Sequence, residues 1–289
     1  MFSTTIACMG QGDLAVVITT EQTDLNLHSF FGSPAAPGVV SVIVIGCDIR
    51  SLVIGPWAAG SIINMELRAG ARILGRGGVG GFGGPVNTHT SGGSKKNISA
   101  IGQPGFAGQT ALDATMTSAV LNLNPDDGFI WGGGGGGGGG GSAGRITGGQ
   151  GTRRGGGGGG GGQGWNNAAG GIGGDVAQGS GMIDPDGSAG TAGSIVLAGV
   201  GGESGYPDIP PDATDATGGD AGSWGEVGAA GETGSGNTGI GFAWSNFQPG
   251  SAGGAAGKAI DSVGTVNFVG AKNEATLVAE FRLFGAVIP

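Results

Sequence analysis

Apolar positions along this chain fall into short clusters toward its two ends, and none of them keeps a helical spacing. From Met1 to about Leu74 the clusters are Asp13–Thr20 (DLAVVITT), Val39–Gly46 (VVSVIVIG), Ile49–Ile54 and Ser61–Arg68 (SIINMELR). They are rich in Val and Ile, and turn signals such as Gly32-Ser33-Pro34 and Gly55-Pro56 separate them. Several short β-branched runs at this spacing predict a β-sandwich-like region over 1–74. Strand character returns over 258–289 with Val263–Val269 (VGTVNFV) and Ala275–Ile288 (ATLVAEFRLFGAVI). No segment shows the i, i+3, i+4 period of an amphipathic helix.

The middle of the chain, 75–257, is built on glycine. Two unbroken runs stand out, Gly132–Gly141 and Gly155–Gly162. Elsewhere glycine recurs every third residue: Gly219, Gly222, Gly225, Gly228, Gly231 and Gly234, then Gly187, Gly190 and Gly193, then Gly199, Gly202 and Gly205. A period of three matches a helix of the polyproline-II type, which rises ~3.1 Å per residue. A lone glycine helix of this kind would not persist, because glycine loses the most chain entropy and offers no side chain to bury. It persists only if its N–H and C=O groups bond to neighbouring helices, which the missing Cβ allows.

A placement rule follows. An all-glycine run has three bare faces and fits the centre of a bundle, a GGx run has two, and a Gxx run has one. Gly132–Gly141 and Gly155–Gly162 are therefore expected at the centre, and Gly219–Gly234 at the periphery as a single helix. Collagen is excluded: Gly219–Gly234 contains no proline and its frame breaks early. The predicted fold is mainly β plus irregular, a sandwich-like region followed by a polyglycine-II helix bundle with loops at its ends and a C-terminal β segment.

Composition narrows the function classes. Of 289 residues, 74 are Gly and 12 are Pro, while charged residues make up 11% and apolar ones 38%. An ordinary enzyme domain carries ~7% Gly, and disorder comes with higher charge and lower hydrophobicity. The net charge is −9, which argues against nucleic acid as a partner. The longest apolar run, Val39 to Cys47, is far short of the ~20 residues of a membrane-spanning helix, and Met1–Gly10 lacks the marks of a signal peptide. Cys8 and Cys47 read as buried thiols.

Catalytic motifs fail on context. Gly140-Gly141-Ser142-Ala143-Gly144 fits G-x-S-x-G, but glycine rather than a strand precedes it, and the two histidines, His28 and His89, lie upstream. A P-loop is absent, and two His with two Cys leave no zinc cluster. Asp184-Pro185-Asp186-Gly187 is explained by turn chemistry. The expectation is no enzyme, no metal and no cofactor. Charge, however, is unevenly placed: Asp175–Gly257 holds ten acidic residues and no basic one, whereas Arg50–Arg154 holds nine basic and four acidic.

Side chains return in the segments between glycine runs: Pro85–Pro104, Ser142–Arg154, Gln163–Ala169, Glu203–Thr217 and Phe242–Ser251. All but Gln163–Ala169 are long enough to reverse the chain. They carry Trp165, Asn166, Asn167, Tyr206, Trp244 and Phe247, and Trp224 lies within the Gly219–Gly234 period. Aromatics on a stiff scaffold with small polar neighbours are what binding surfaces use; the alternative is that these rings close the bundle ends.

The string Ser61–Gly84 (SIINMELRAGARILGRGGVGGFGG), with Ile73–Gly84 its most specific piece, resembles the lead-in to the glycine-rich domains of bacteriophage tail-tip and tail-fibre adhesins. The later order fits too: Ala111–Leu123, Ile130-Trp131 leading into Gly132–Gly141, and Gly253–Ile260 before a closing strand. Such modules occur in the distal adhesins of T-even-type phages and the host-specificity tail-tip proteins of lambda-like phages. The resemblance implies a tail-attached β region and a glycine bundle that presents loops to a bacterial surface receptor, a polysaccharide or an outer-membrane protein. It further implies other phage tail proteins as partners, a homo-oligomer (a trimer in the lambda-like case), and a place at the virion's tail tip after synthesis in the host cytoplasm, without membrane insertion. The second reading is a purely structural tail-tip or capsid decoration protein.

Overall fold

The computed structural model describes residues 5–8, 13–91, 94–125, 127–144, 153–175, 186–205, 216–234, 248–270, 274–279, 283–285 and 287–288. It is mainly β with very little helix. The first elements are β1 (Thr5–Cys8), β2 (Asp13–Ile18), β3 (Gln22–Asn26), α1 (Leu27–Phe30), β4 (Val39–Val44), β5 (Asp48–Val53), β6 (Ile62–Leu67) and β7 (Arg72–Leu74). Next come the hairpin β8 (Val86–Ser91) and β9 (Ser94–Ser99), then β10 (Leu112–Ala114), β11 (Val120–Asn124), β12 (Phe129–Trp131), β13 (Ala143–Gly144) and β14 (Arg153–Arg154). The last are β15 (Ile260–Ser262), β16 (Val266–Phe268), α2 (Glu274–Ala279), β17 (Leu283–Phe284) and β18 (Val287–Ile288). Two compact units share them: 1–76 with 109–133 and 257–289, and 77–108 with 134–256. The segment after Lys258 thus folds with the first strands rather than by itself.

In the first unit the alternation of apolar residues sets which face is buried. Val40, Val42 and Val44 of β4 are buried and lie in register with Ile63, Met65 and Leu67 of β6. Leu121 and Leu123 of β11 extend the same rows beyond β6. One sheet has the order β1-β2-β4-β6-β11-β16; the other, β17-β12-β7-β5-β10-β15-β18 with β3 on β5, supplies Ile49, Leu52, Ile73, Leu112, Ile130 and Ile260 to the same core. Fully burying each such side chain is worth ~1.5–3 kcal/mol.

The expected sandwich is corrected in its topology. Sandwich strands pair antiparallel, but in these two sheets only β1–β2 does so, and every other pair is parallel. The cause is local. A three-residue corner at Ile45–Cys47, with Gly46 at φ 61°, carries the chain from β4 into β5 of the opposite sheet. The next strand of the first sheet is therefore β6, running in the same direction as β4. The in-register stacking also aligns Asn64, Asn122 and Asn267: Asn122 Nδ2 donates to Asn64 Oδ1 at 2.9 Å, and Asn267 Nδ2 to Asn122 Oδ1 at 3.0 Å.

Ala275–Ile288 is not one strand. Its start is α2, a short helix with Glu274 in its first turn and Leu277 fully buried, and β17 and β18 follow. Glu, Ala and Leu favour helix, and a helix this short leaves no readable period.

Among its described residues the second unit has no apolar core comparable to this. Its described residues form extended runs, taken in chain order: 77–84, 100–108, 134–142, 155–163, 168–174, 187–194, 197–205, 216–222, 226–234 and 248–256. In the third run successive amides donate to three different neighbours in rotation. Gly134 donates to Gln163 O, Gly135 to Glu226 O and Gly136 to Phe106 O, and Gly137, Gly138 and Gly139 repeat the cycle with Gly160, Ala229 and Gln103. Its carbonyls accept from three other runs in the same rotation: Gly134 O from Gly78, Gly135 O from Gly222 and Gly136 O from Gly254. The fourth run donates likewise to the first, eighth and sixth, and accepts from the third, fifth and seventh. Each of these two glycine runs thus has six neighbours, whereas among the described residues the ninth run bonds only to the third, eighth and tenth.

The expectation of one helix over Gly219–Gly234 is also corrected. Run 216–222 is antiparallel to the third run and run 226–234 parallel to it. The chain reverses between them at Trp224–Gly225, with Gly225 at φ 64°. Glycine stays on the third-residue frame there because the turn needs it at the position where the period already calls for it.

Candidate functional site

The hydrogen-bond register sorts the connections of the glycine unit by end. Gly84 with Gly140, Gly140 with Gly157, Gly174 with Gly156, Gly205 with Gly155, and Gly234 with Gln248 are all bonded at one end. From that end the chain leaves the runs for five long connections, 85–99, 143–154, 175–186, 206–215 and 235–247. At the opposite end lie the short turns near 163–167, 195–196 and 223–225, and residues 77, 108, 134 and 256, where the chain enters or leaves the unit. The two central runs end there as well, at Ser142 and Gly155, each surrounded by its neighbours.

At the base of this end, the buried Ser142 hydroxyl joins three runs. It donates to Pro85 O (3.1 Å) or Ala100 O (2.9 Å) and accepts from Ala100 N (3.0 Å). The serine of the G-x-S-x-G string is therefore a structural bolt. It fixes the β8–β9 hairpin to the start of 143–154, and β13 lies against β9.

The sequence-predicted contacts divide between the two ends. Trp165, Asn166 and Asn167 are at the turn end. Gln163–Ala169 does reverse the chain, because Gln163–Asn166 form a turn and Asn167 adopts φ 47°, a conformation Asn tolerates. Asn166 acts there as a substitute peptide group: Gly77 N donates to its Oδ1 at 2.8 Å, and its Nδ2 donates to Gly77 O at 3.2 Å. Trp224, expected to face a receptor, is 7% exposed in its turn and cannot present its ring to one. Tyr206, Trp244 and Phe247 lie outside the described residues, as do Asp184 and Pro185; the runs flanking the three aromatics end at 205, 216, 234 and 248, on the loop end.

Sequence reasoning missed Gln163 as an organiser. It is 7% exposed; its Nε2 donates to Ile195 O (3.2 Å) and its Oε1 accepts from Trp224 N (3.3 Å), so one amide ties all three short turns. A lone Gln directly after eight glycines was the available signal.

Ionisable groups give no catalytic arrangement among the described residues. Burial, reinforced by the neighbouring Asp48 charge, pushes the Cys47 thiol above its ordinary range, and it sits 3.5 Å from Ile18 O. No group of His, Cys, Asp and Glu able to hold a metal occurs among the described residues, and no helix there is long and apolar enough to cross a membrane. Acidic side chains line the outer runs; Asp220 Oδ1 accepts from Gly201 N at 2.9 Å.

A side-chain-packed β unit is joined in sequence to a backbone-bonded unit whose runs lead into their longest connections at one end. The sequence matches the Gp38 phage tail fibre adhesin family over residues 13–279, and the chain belongs to that family. It is a receptor-binding adhesin of the phage tail, a component of the virion, and between the two readings of the sequence the adhesin stands. Among solved structures, the gp37-gp38 adhesin tip complex of the bacteriophage S16 long tail fiber is similar, with 20% identity and a TM-score of 0.41 over 88% of this chain and 79% of that one. Among curated proteins there is no match.

Proposed function

We propose that the glycine unit is a hexagonally packed polyglycine-II bundle whose loop end meets the bacterial receptor, while the β unit joins the adhesin to the tail. The observation that carries this is the gathering of all five long connections at one end. The threefold rotation of donors in the two central runs supports the helix type, since three residues per turn return every third amide to the same neighbour. The receptor is a surface polysaccharide or an outer-membrane protein, and Tyr206, Trp244 and Phe247 are the aromatic contacts. A tail-fibre protein is the partner of the β unit, as in the similar gp37-gp38 complex. Both central runs complete their six neighbours within one chain, so the bundle itself needs no second copy, and a solution mass measurement tests the homo-oligomer.

The test is staining of a broad strain panel with fluorescently labelled protein. Alanine at Tyr206, Trp244 and Phe247 is expected to abolish strain-selective staining, and alanine at Trp165 on the turn end to leave it intact. Staining lost only with Trp165 would reverse the assignment of ends.

A further inference from the structure

The ten runs of the glycine unit stack in three layers. The third and fourth runs, bonded to each other, share two neighbours, the first and the eighth, one on either side of the pair. The first run is bonded in turn to the second and fifth, and the eighth to the ninth and seventh. One outer layer is therefore second-first-fifth, the middle layer tenth-third-fourth-sixth, and the other outer layer ninth-eighth-seventh.

The period of three decides what each outer layer shows. In the first run a Cβ on Gly77 or Gly80 would meet the fourth run and one on Gly78 or Gly81 the second, so Val79 and Phe82 point out of the layer. In the fifth run Gly171 faces the first run and Gly170 and Gly173 face the sixth, which leaves Ala169 and Ile172 outward. In the second run Gly102 and Gly105 face the third, while Gln103 and Phe106, whose amides bond to Phe82 O and Val79 O, stand beside the first run. These bonds, with Gly80 N to Ala169 O and Gly83 N to Ile172 O, set Phe106, Val79 and Ala169 on one level. Gln103, Phe82 and Ile172 form the next level, ~9 Å along. Phe82, Phe106 and Ile172 are 41%, 60% and 67% exposed, and no Asp, Glu, Lys, Arg or His occurs in these three runs. The opposite face is acidic. By the same rule Glu203 of the seventh run, Asp220 of the eighth and Glu232 of the ninth point outward there, all exposed.

We infer that the uncharged face docks a second copy of this chain, face to face. Exposed apolar patches of this kind mark protein interfaces, and Gln103 is the one polar side chain here to meet the hydroxyls of a glycan. Charge then selects the protein. Two chains of net charge −9 repel each other, and with these faces together the outer-run carboxylates of both copies lie on the far sides of their slabs. A flat face of parallel rods is also complementary to itself under a two-fold axis. Area sets the strength. Three runs ~22–28 Å long, spaced ~5 Å apart as hydrogen-bonded main chains are, present a face of roughly 25 Å by 15 Å. That is about half of the ~800 Å² per partner of a stable interface, so the dimer is reversible and forms at high concentration. It uses the flank of the bundle and does not depend on what the loop end binds.

Sedimentation of full-length protein from ~1 µM to ~1 mM is expected to show a monomer passing into a dimer. Added salt should favour the dimer, because screening lowers the repulsion between two acidic chains. Phe106→Glu with Ile172→Glu should weaken it at least ~10-fold, since each copy would bring two charges into an apolar contact, and should leave melting unchanged. Leu197→Glu with Val200→Glu is the matched control. It adds the same charge on the opposite outer layer, at side chains 70% and 57% exposed, and should leave the dimer in place. A monomer over the whole range overturns the inference, as does a dimer that the control pair breaks and the Phe106–Ile172 pair does not. Wild type that stays monomeric, with cell staining lost in the Phe106–Ile172 variant, overturns it too and assigns the face to the receptor. Should the double Glu variant not fold, Phe106→Gln with Ile172→Thr, polar and uncharged, carries the same test.

Discussion

The two units solve the same problem with different atoms. In the β unit the strands are held apart by their own side chains, and stability comes from Val40, Ile49, Ile63, Ile73 and their neighbours filling the space between two sheets. In the glycine unit the runs are held together by main chain, and what matters is the atom that is missing. A Cβ built on almost any glycine of the ten runs meets carbonyl oxygen or carbon of the next run, not a movable side chain. One unit is specified by which side chains are present, the other by where none is. Tolerance to mutation should differ accordingly, and that difference can be measured.

The largest effect is expected in the third run. Valine at Gly136 would drive its Cβ into Val79 O and Gly78 O, and the run cannot shift because six neighbours hold it. The cost should exceed ~5 kcal/mol, at the exceptional end for a single change and within the whole stability of a typical domain. Gly136→Val should therefore give no cooperative melting in circular dichroism. The matched change in the β unit, Ile49→Val, removes one methyl group from a fully buried side chain and should cost only ~0.5–1.5 kcal/mol. A Gly136→Val protein that melts like wild type would end the backbone-packing account.

A middle-sized effect should come from the place where a side chain impersonates the backbone. Asn166→Ala removes both bonds to Gly77 and leaves an N–H and a C=O without partners. The expected loss is ~1–3 kcal/mol, read as a lower midpoint in denaturant with an unchanged slope. Asn166→Asp keeps the acceptor and loses the donor, so it should fall between. Equal midpoints for all three proteins would mean that water replaces the amide at no cost.

Much of this was legible in the residues. The Val- and Ile-rich clusters marked β2, β4, β5 and β6 as strands, and unbroken glycine named the two runs with six neighbours, because only a run without Cβ on any face can be approached from all sides. Strand direction was not legible, since alternation reads the same in a parallel and an antiparallel sheet. What decides it is the short corner through Gly46, whose φ of 61° leaves no periodic trace. The third-residue frame likewise ran straight through the Trp224–Gly225 reversal, because turn and run demand the same residue at the same place. Trp165, Asn166 and Asn167 looked like a loop too short to turn and are one of the tightest reversals in the unit. The charge split along the chain was visible from the start; only the bonded register brought the acidic outer runs to one face.

The smallest effect, that of Ala189→Lys, belongs to the sharpest comparison, because it is set against its neighbour in the chain. Ala189 and Gly190 both belong to the sixth run. Ala189 is exposed, whereas the bonds of the run go to the fourth, fifth and seventh runs. At Gly190 an added Cβ would meet Gly159 O and C of the fourth run. Ala189→Lys should therefore stay within about ±0.5 kcal/mol of wild type, as surface changes do, although it adds a long charged side chain. Gly190→Ala adds a single carbon and should cost ~3 kcal/mol or more, the upper range of overpacking, because the neighbours it strikes are main chain and cannot repack. Thermal melting of the two variants side by side measures the contrast. Equal stabilities would mean that the run slides outward to admit a Cβ, and that an outer run is held by its loops rather than by its glycines.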